Sequence, residues 1–354
     1  MFYRDAGALK TSYAQDAALF PLAFDRRAMI ALVLVAGVVV PLVASDYWLG
    51  SILLPFLILS LAAIGLNIVT GYAGQLSLGS AAFMAVGAYA ALNLVARVPA
   101  LPFPLSLALA GLIAGLVSAL FGLLSLRIRG FYVAVATLAA QFFIEWLCTH
   151  VPWLLLDNHS GVVSTPTLGW LGFEVASIPA RYVTALIIVA GLAVLAMNLV
   201  RSELGRAWMA VRDHETAAEL TGVDTVRAKL SAFAVSGFYC GVAGALWSFL
   251  YIGTIEIEAF SLHRSFQILF MIIIGGLGSV MGSFLGAAFI VLLPVAITNG
   301  AAVFGSAIKP DVIANLELMI FGALIVGFLI LEPHGLARLV SHAKARLRRW
   351  PLRY

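Results

Sequence analysis

The sequence predicts an all-α polytopic membrane protein, and three observations carry that expectation. Hydrophobic residues make up 62% of the 354-residue chain, charged residues only 11%, and the mean hydropathy is +1.04. A soluble domain carries roughly 25% charged residues; the 21 Lys+Arg and 17 Asp+Glu here cannot clothe a globule of this size. The apolar residues fall in long unbroken runs, whereas a membrane barrel needs short alternating strands. The basic residues, finally, are spread unevenly among the segments that separate the runs.

A helix rises about 1.5 Å per residue, so roughly 20 apolar residues cross a hydrocarbon core about 30 Å thick. Ten runs answer to that length: 28–44, 49–69, 77–95, 104–126, 131–148, 182–200, 230–250, 265–280, 283–298 and 316–332. The eighth and ninth are short and split by glycine. If the pair near 265–298 is re-entrant, eight full crossings remain. Residues 1–27 then read as a cytoplasmic arm, 28–333 as the transmembrane domain and 334–354 as a basic cytoplasmic tail. No cleavable leader is expected, because no small-residue cleavage motif follows the first run.

Orientation follows from counting. With an even number of spans and both termini cytoplasmic, only Arg97, Arg181, Arg264 and Lys309 of the 21 basic residues face outward. That asymmetry is the positive-inside pattern, and it holds equally for eight or ten spans. The net charge of +4 therefore reflects topology, and no nucleic-acid partner is expected. The two cysteines, Cys148 and Cys240, sit in separate apolar runs and give neither a disulfide framework nor a metal site. The tail reads as a helix on anionic lipid or simply as a topogenic anchor.

Within the runs, glycine recurs at helical spacing: Gly111 with Gly115, Gly237 with Gly241, and Gly278 with Gly282 and Gly286. Spacing of four puts small residues on one face and lets helix backbones approach closely, so these are read as packing positions. The segment Thr70–Ser80 differs, interrupting apolar sequence with Gly71, Gly74, Gln75, Ser77 and Ser80. A helix beginning near Gln75–Ser77 would present unpaired N–H groups and a positive dipole end. Broken helices of this kind line transport pathways, while the blander reading is a turn between two spans. Asn67, Gln75, Ser77 and Ser80 are the residues to inspect there. In the fifth run, Gln141 and Glu145 share a face, with His150 just beyond. An intramembrane carboxylate is costly and normally faces the bundle interior or water. Glu145 thus serves the pathway, a hydrogen bond between helices, or a mere interfacial position, and Tyr132 and Thr137 offer further polar contacts.

Two loops stand out. The outer segment 149–181, with Pro152, Pro166 and Pro179 around Trp153–Leu156, suggests a short surface helix that caps the bundle or docks a partner. The outer stretch 251–264 carries Glu256, Glu258 and His263 as a solvated loop. The inner segment 201–229 mixes apolar Ala207, Val211, Ala218 and Leu220 with Arg212, Asp213, Glu215 and Glu219, bracketed by Gly205 and Gly222. It reads as a short amphipathic helix running into the next span at Leu230, either a plain connector or a helix that inserts into a cytoplasmic partner. The chain carries no Gly-Lys-Ser/Thr phosphate loop, no His-Glu-x-x-His and no nucleophile elbow. No catalytic residue is expected on it.

Four stretches together carry a resemblance. They are Leu66–Tyr89, containing Gly71-Tyr72-Ala73-Gly74-Gln75-Leu76-Ser77-Leu78-Gly79-Ser80; Leu126–Leu138; Gly205–Phe233, containing Val211-Arg212-Asp213-His214-Glu215; and Ile274–Gly286 with the closing Glu332-Pro333-His334-Gly335-Leu336. Over about residues 45–338 the chain resembles the M-type permease subunits of bacterial branched-chain amino acid ABC importers. The resemblance implies an inner-membrane protein that forms half of a permease pair with a related second subunit. Two cytoplasmic ATPase subunits holding ATP and Mg, and an external substrate-binding protein, would complete the importer. No cofactor is implied on this chain itself. The segment 205–229 would be the coupling region, with Gly205, Arg206, Arg212, Asp213, Glu215 and Gly222 at or near the ATPase contact. Many relatives have His where this chain has Ser80, a departure that removes a titratable group. The same family includes importers of urea, short amides and aromatic acids. From the residues alone, a proton- or sodium-coupled carrier working through Glu145 is the alternative.

Overall fold

The computed structural model describes residues 23–98, 101–127, 132–156, 158, 160–166, 169–170, 173–174, 177–303, 319–320, 322–323, 326–327, 330 and 335–349. Among the described residues eight helices are long and apolar enough to cross a membrane: Trp48–Tyr72, Ser80–Arg97, Phe103–Leu123, Tyr132–His150, Ile178–Arg201, Thr225–Ile252, Ile257–Gly275 and Val280–Asn299. They correspond to the second through ninth apolar runs. The first run forms a shorter apolar helix, Arg27–Val43, and most of the tenth, 316–332, lies outside the described residues. The glycine-rich pair is present as two helices, both counted among the eight by length and composition.

The elements are α1 (Ala23–Leu34), α2 (Leu54–Asn67), α3 (Ser80–Arg97), α4 (Phe103–Arg127), α5 (Tyr132–His150), α6 (Ile178–Arg201), α7 (Glu203–Asp213), α8 (Glu215–Leu220), α9 (Thr225–Leu246), α10 (Leu262–Gly275), α11 (Val280–Val303) and α12 (Gly335–Arg349). Wider π-helical turns flank α2, at Trp48–Leu53 and Ile68–Tyr72, and extend α9 through Trp247–Ile252. The expected start of α3 near Gln75–Ser77 moves to Ser80. Residues 73–79 are an irregular, mostly half-buried or buried strip.

Glycine spacing explains the centre of the bundle. The α9 span is 83% buried and the α2 span 89%, against 33% for α6 and 28% for α11. The pairs Gly111/Gly115 on α4 and Gly237/Gly241 on α9 face each other. A Cβ on Gly241 would strike Ala114, one on Gly237 Ser118, one on Gly111 Val242 and Phe238, and one on Gly115 the Ala234 carbonyl. The other side of α9 is pressed on α3, where Gly241 meets Gly87 and Gly244 meets the Met84 carbonyl. Ser118 Oγ donates to the Phe233 carbonyl at 2.8 Å across the same crossing. The α10–α11 hairpin uses the same device: Gly286 lies on the Met271 carbonyl and Gly282 on the carbonyls of Gly275 and Gly276. Gly278, the first of that run, instead sits in the turn with φ +73, a conformation that favours glycine.

Two connections differ from expectation. The segment 149–181 forms no lengthy surface helix among its described residues, only a 3-10 turn at Pro152–Leu155. Beyond it β1 (Val163–Ser164) pairs antiparallel with β4 (Thr254–Ile255), and β2 (Gly169–Trp170) with β3 (Phe173–Glu174). Three prolines, Pro152, Pro166 and Pro179, favour such turns over a long helix. The segment 201–229 forms two helices, α7 and α8, joined at an extended His214, and the next span begins at Thr225 rather than Leu230. Asp224 supplies the reason, because its side chain caps the new helix by accepting the Arg227 N–H at 3.0 Å. The tail is helical over α12, whose Gly335 rests on the backbone of Gly276.

Candidate functional site

The broken segment leads the chain into the middle of the bundle. Gln141 lies half-way along α5, and its Oε1 accepts the Ala82 N–H of α3 at 2.8 Å. Ser265 Oγ, in the first turn of α10, accepts the Ala81 N–H at 2.9 Å and donates to the same Oε1 at 3.1 Å. Gln141 Nε2 donates to the Phe260 carbonyl at 2.8 Å, and Thr137 Oγ1 accepts the Leu78 N–H at 2.9 Å. The helices α3 and α10 therefore both begin at the mid-depth of α5, within one hydrogen bond of each other. Two positive dipole ends converge there. Polar backbone at this depth is tolerated only where protein or a water-filled cavity surrounds it. Among the described residues three buried groups have no hydrogen-bond partner: Ser80 Oγ at the start of α3, and Trp247 Nε1 and Ser248 Oγ in the π-helical turn that ends α9.

Arg264, expected in an outer loop, lies instead in the first turn of α10. Its guanidinium is 4.5 Å from the Trp247 ring centroid, and its Nη1 donates to Gln267 Oε1 at 2.7 Å. It has no carboxylate partner among the described residues. The one-letter pattern hid this because a 3-10 turn, Ile257–Phe260, carries the chain to mid-depth before α10 starts.

A second junction gathers on Asn67. Its Nδ2 donates to the Ser279 carbonyl and Ser283 Oγ, each at 2.9 Å, and lies 3.4 Å from the Gly276 carbonyl. Its Oδ1 accepts the Gly278 N–H at 2.8 Å. Asn67 is 1% exposed, so its four contacts lock α2 to the α10–α11 turn. Arg212, at the end of α7, reaches the same place: Nη1 donates to the Gly71 carbonyl at 3.0 Å, and the side chain packs against Gly74, whose φ is +70.

The remaining residues of the α7–α8 unit divide into two sets. Glu215 faces the bundle and binds Lys229 Nζ at 2.6 Å, a buried ammonium that needs this partner. Trp208 is fully buried and donates to Ser231 Oγ at 2.9 Å, while Gly205 is pressed on the Val200 carbonyl. Asp213, bonded to its neighbour Arg212, is exposed, as are Arg206, Leu220 and Gly222. Leu220, an apolar side chain 90% exposed, projects from this face.

Elsewhere, Ser77 is buried and its Oγ lies 3.5 Å from the Gly79 N–H, whereas Gln75 is half-buried, its carbonyl accepting from Thr70 Oγ1. Glu145 is half-buried on α5, between exposed Phe142 and Trp146, and its carboxylate has no partner among the described residues. A cavity of about 550 Å³ lies between α3, α4 and α5, walled by Tyr89, Phe121, Phe143 and Leu154, with Arg97 and Trp153 at one end. Its apolar walls suit an acyl chain better than a polar solute. No group of His, Cys, Asp and Glu among the described residues forms a metal site.

The architecture of broken helices meeting at mid-depth is that of a transport protein. The family model described as branched-chain amino acid transport system / permease component matches residues 48–329. The chain belongs to this family. Similar proteins include the high-affinity branched-chain amino acid transport system permease protein LivM of Salmonella typhimurium, 33% identical over 251 residues. LivM of Escherichia coli is 30% identical over 258 residues. Each alignment covers 65% of this chain and 59% of the relative, so the match spans less than two thirds of their length. A probable LivM of Methanocaldococcus jannaschii is 24% identical over 326 residues, covering 81% of this chain and 92% of that one. No solved structure matches. The permease is thus a component of a transport system and, with its eight apolar helices, a multi-pass protein of the bacterial inner membrane.

Proposed function

We propose that this permease is half of the translocation path of an ATP-driven importer of branched-chain amino acids. In this reading it pairs with a related second permease. Two cytoplasmic ATPase subunits, which hold ATP and Mg, drive the pair, and an external binding protein feeds it. The termini and the α7–α8 unit lie in the cytoplasm in this reading, which the uneven spread of basic residues supports.

The observation that carries the reading is the Arg212 tie. Its guanidinium connects an exposed helical unit to the Gly71 carbonyl, at the start of the irregular strip that runs to mid-depth. Closure of the ATPases would push on the exposed set, Arg206, Asp213, Leu220 and Gly222. Arg212 and the Glu215–Lys229 pair would pass that push to the broken segment, the α10–α11 turn and α9. The membrane chain then needs few charges of its own, because specificity rests largely with the binding protein.

The test is reconstitution of the permease with its ATPase and second-permease partners in vesicles containing ATP. Uptake of leucine delivered by the binding protein, with no ion gradient imposed, is the expected result. Uptake that ignores ATP and collapses with a proton or sodium gradient would assign a secondary carrier instead.

A further inference from the structure

Arg264 stands out among the charges of this molecule. It lies in a membrane-spanning segment, half-buried, one residue from the Ser265 hydroxyl that joins the starts of α3 and α10. A cation at such depth is costly unless an anion or strong acceptors meet it. Among the described residues it is met by a neutral amide, Gln267, the face of Trp247 and the neighbouring phenol of Tyr251, none of them a carboxylate. The environment adds more positive potential rather than less, because both nearby helices present their N-terminal ends.

The surrounding donors make the same demand. Trp247 is 4% exposed, and its indole N–H, beside the guanidinium that stacks on the ring, has no acceptor. Ser248 Oγ in the same π-helical turn, and Ser80 Oγ at the start of α3, are also buried and unpartnered. Buried donors are normally satisfied, so an indole N–H left open on the ring that the carboxylate-free guanidinium covers calls for an acceptor that the described residues do not supply. A carboxylate fits that demand, with two oxygens to offer the fork of an arginine.

We infer that Arg264, with Trp247 and the converging starts of α3 and α10, is the binding station for the carboxylate of the transported solute. The inference rests on the proposed import function and narrows its substrate. Amino acids and aromatic acids carry the required group; urea and short amides do not. The apolar part of the solute would be left to surfaces of the path, consistent with a permease that reads one common group and leaves side-chain choice to the binding protein.

The test uses the assembled importer in lipid nanodiscs, without binding protein, and equilibrium binding of tritiated leucine. The competitors are the 2-oxo acid of leucine, which keeps the carboxylate, and leucinamide, which lacks it. The oxo acid is expected to displace leucine, with leucinamide at least about tenfold weaker, as loss of a charge-assisted pair demands. Arg264→Gln should weaken leucine binding at least about tenfold, and Arg264→Lys less, because a point charge keeps attraction but loses the fork. Trp247→Phe removes the indole N–H and keeps a smaller aromatic face for the guanidinium. A two- to fivefold loss is expected, roughly one neutral hydrogen bond, and this variant serves if the arginine variants do not fold. Leucinamide competing as well as the oxo acid would overturn the proposal, as would wild-type leucine affinity in Arg264→Gln. Unchanged leucine binding accompanied by loss of a co-purified phospholipid would also overturn it, assigning the guanidinium to a headgroup. Wild-type protein that binds the oxo acid through Arg264 yet imports no leucine with ATP would keep the station and sink the import reading.

Discussion

The Asn67 and Gln141 junctions are built from the same materials and behave oppositely. At Asn67 an amide joins α2 to the α10–α11 turn, and each of its polar atoms finds a partner. At Gln141 an amide joins α5 to the starts of α3 and α10 and is equally well satisfied. Its surroundings are not, because Arg264, Trp247, Ser248 and Ser80 keep unused hydrogen-bonding capacity. A closed polar network holds helices in register, whereas an open one of similar burial stays in the protein only if something else closes it. The first junction reads as a hinge pin and the second as a site.

Replacing residues at each junction sharpens or breaks that contrast. Asn67→Leu should do the most damage, since it strands the Gly278 N–H and Ser283 in apolar surroundings. A loss of about 3 kcal/mol is expected, read as a lower unfolding temperature and reduced folded yield. Gln141→Leu should cost about 2 kcal/mol by uncapping α3, with uptake falling further than folded yield. Equal falls in both would make the second junction a mere pin as well. Arg212→Glu removes the link between the exposed unit and the first junction. Folded yield should persist, ATP hydrolysis should continue, and leucine uptake should drop about tenfold, equivalent to about 1.4 kcal/mol of coupling. Failure to insert would instead make α7 a folding element.

Smaller effects separate the peripheral groups. Glu145→Gln should lower uptake about twofold if its unpartnered carboxylate faces the path, in line with the modest worth of an incompletely buried charge. Unchanged uptake and assembly would place it at an interface. Ser80→Ala should change stability by less than about 0.5 kcal/mol, because its hydroxyl has no partner to lose. A loss above about 1 kcal/mol would show that the hydroxyl is bonded and would weaken the contrast between the junctions.

Much of this was legible from residues alone. Long apolar runs announce spans because length and hydropathy are local properties, and among the described residues eight of the ten expected runs form helices long and apolar enough to cross. The Thr70–Ser80 segment was conspicuous because turn formers interrupt an apolar background. Glycine spacing marked Gly111, Gly115, Gly237 and Gly241, yet nothing in the spacing said that the two pairs meet each other. The partners that define the junctions were invisible for the same reason. Ser265 lies 184 residues from Ala81, and Ser283 lies 216 from Asn67, so their pairing exists only in three dimensions. Arg264 was misplaced because a cation at the edge of a run looks like a loop residue. A 3-10 approach to a half-depth helix carries no compositional signature. The β1–β4 pairing was hidden too, two residues a side being too short for an alternating pattern.

The crowding of α9 also bears on how the chain is made. This helix is wedged between α3 and α4 through contacts so close that Gly241 and Gly244 admit no side chain. Its interior is built from glycine, alanine and serine, which partition into lipid less eagerly than leucine does. During synthesis α3 and α4 leave the ribosome well before α9, so the slot that accepts it can already be standing. Biogenesis would then have a built-in sequence, with the most enclosed helix of the three entering last and held by its neighbours rather than by the bilayer.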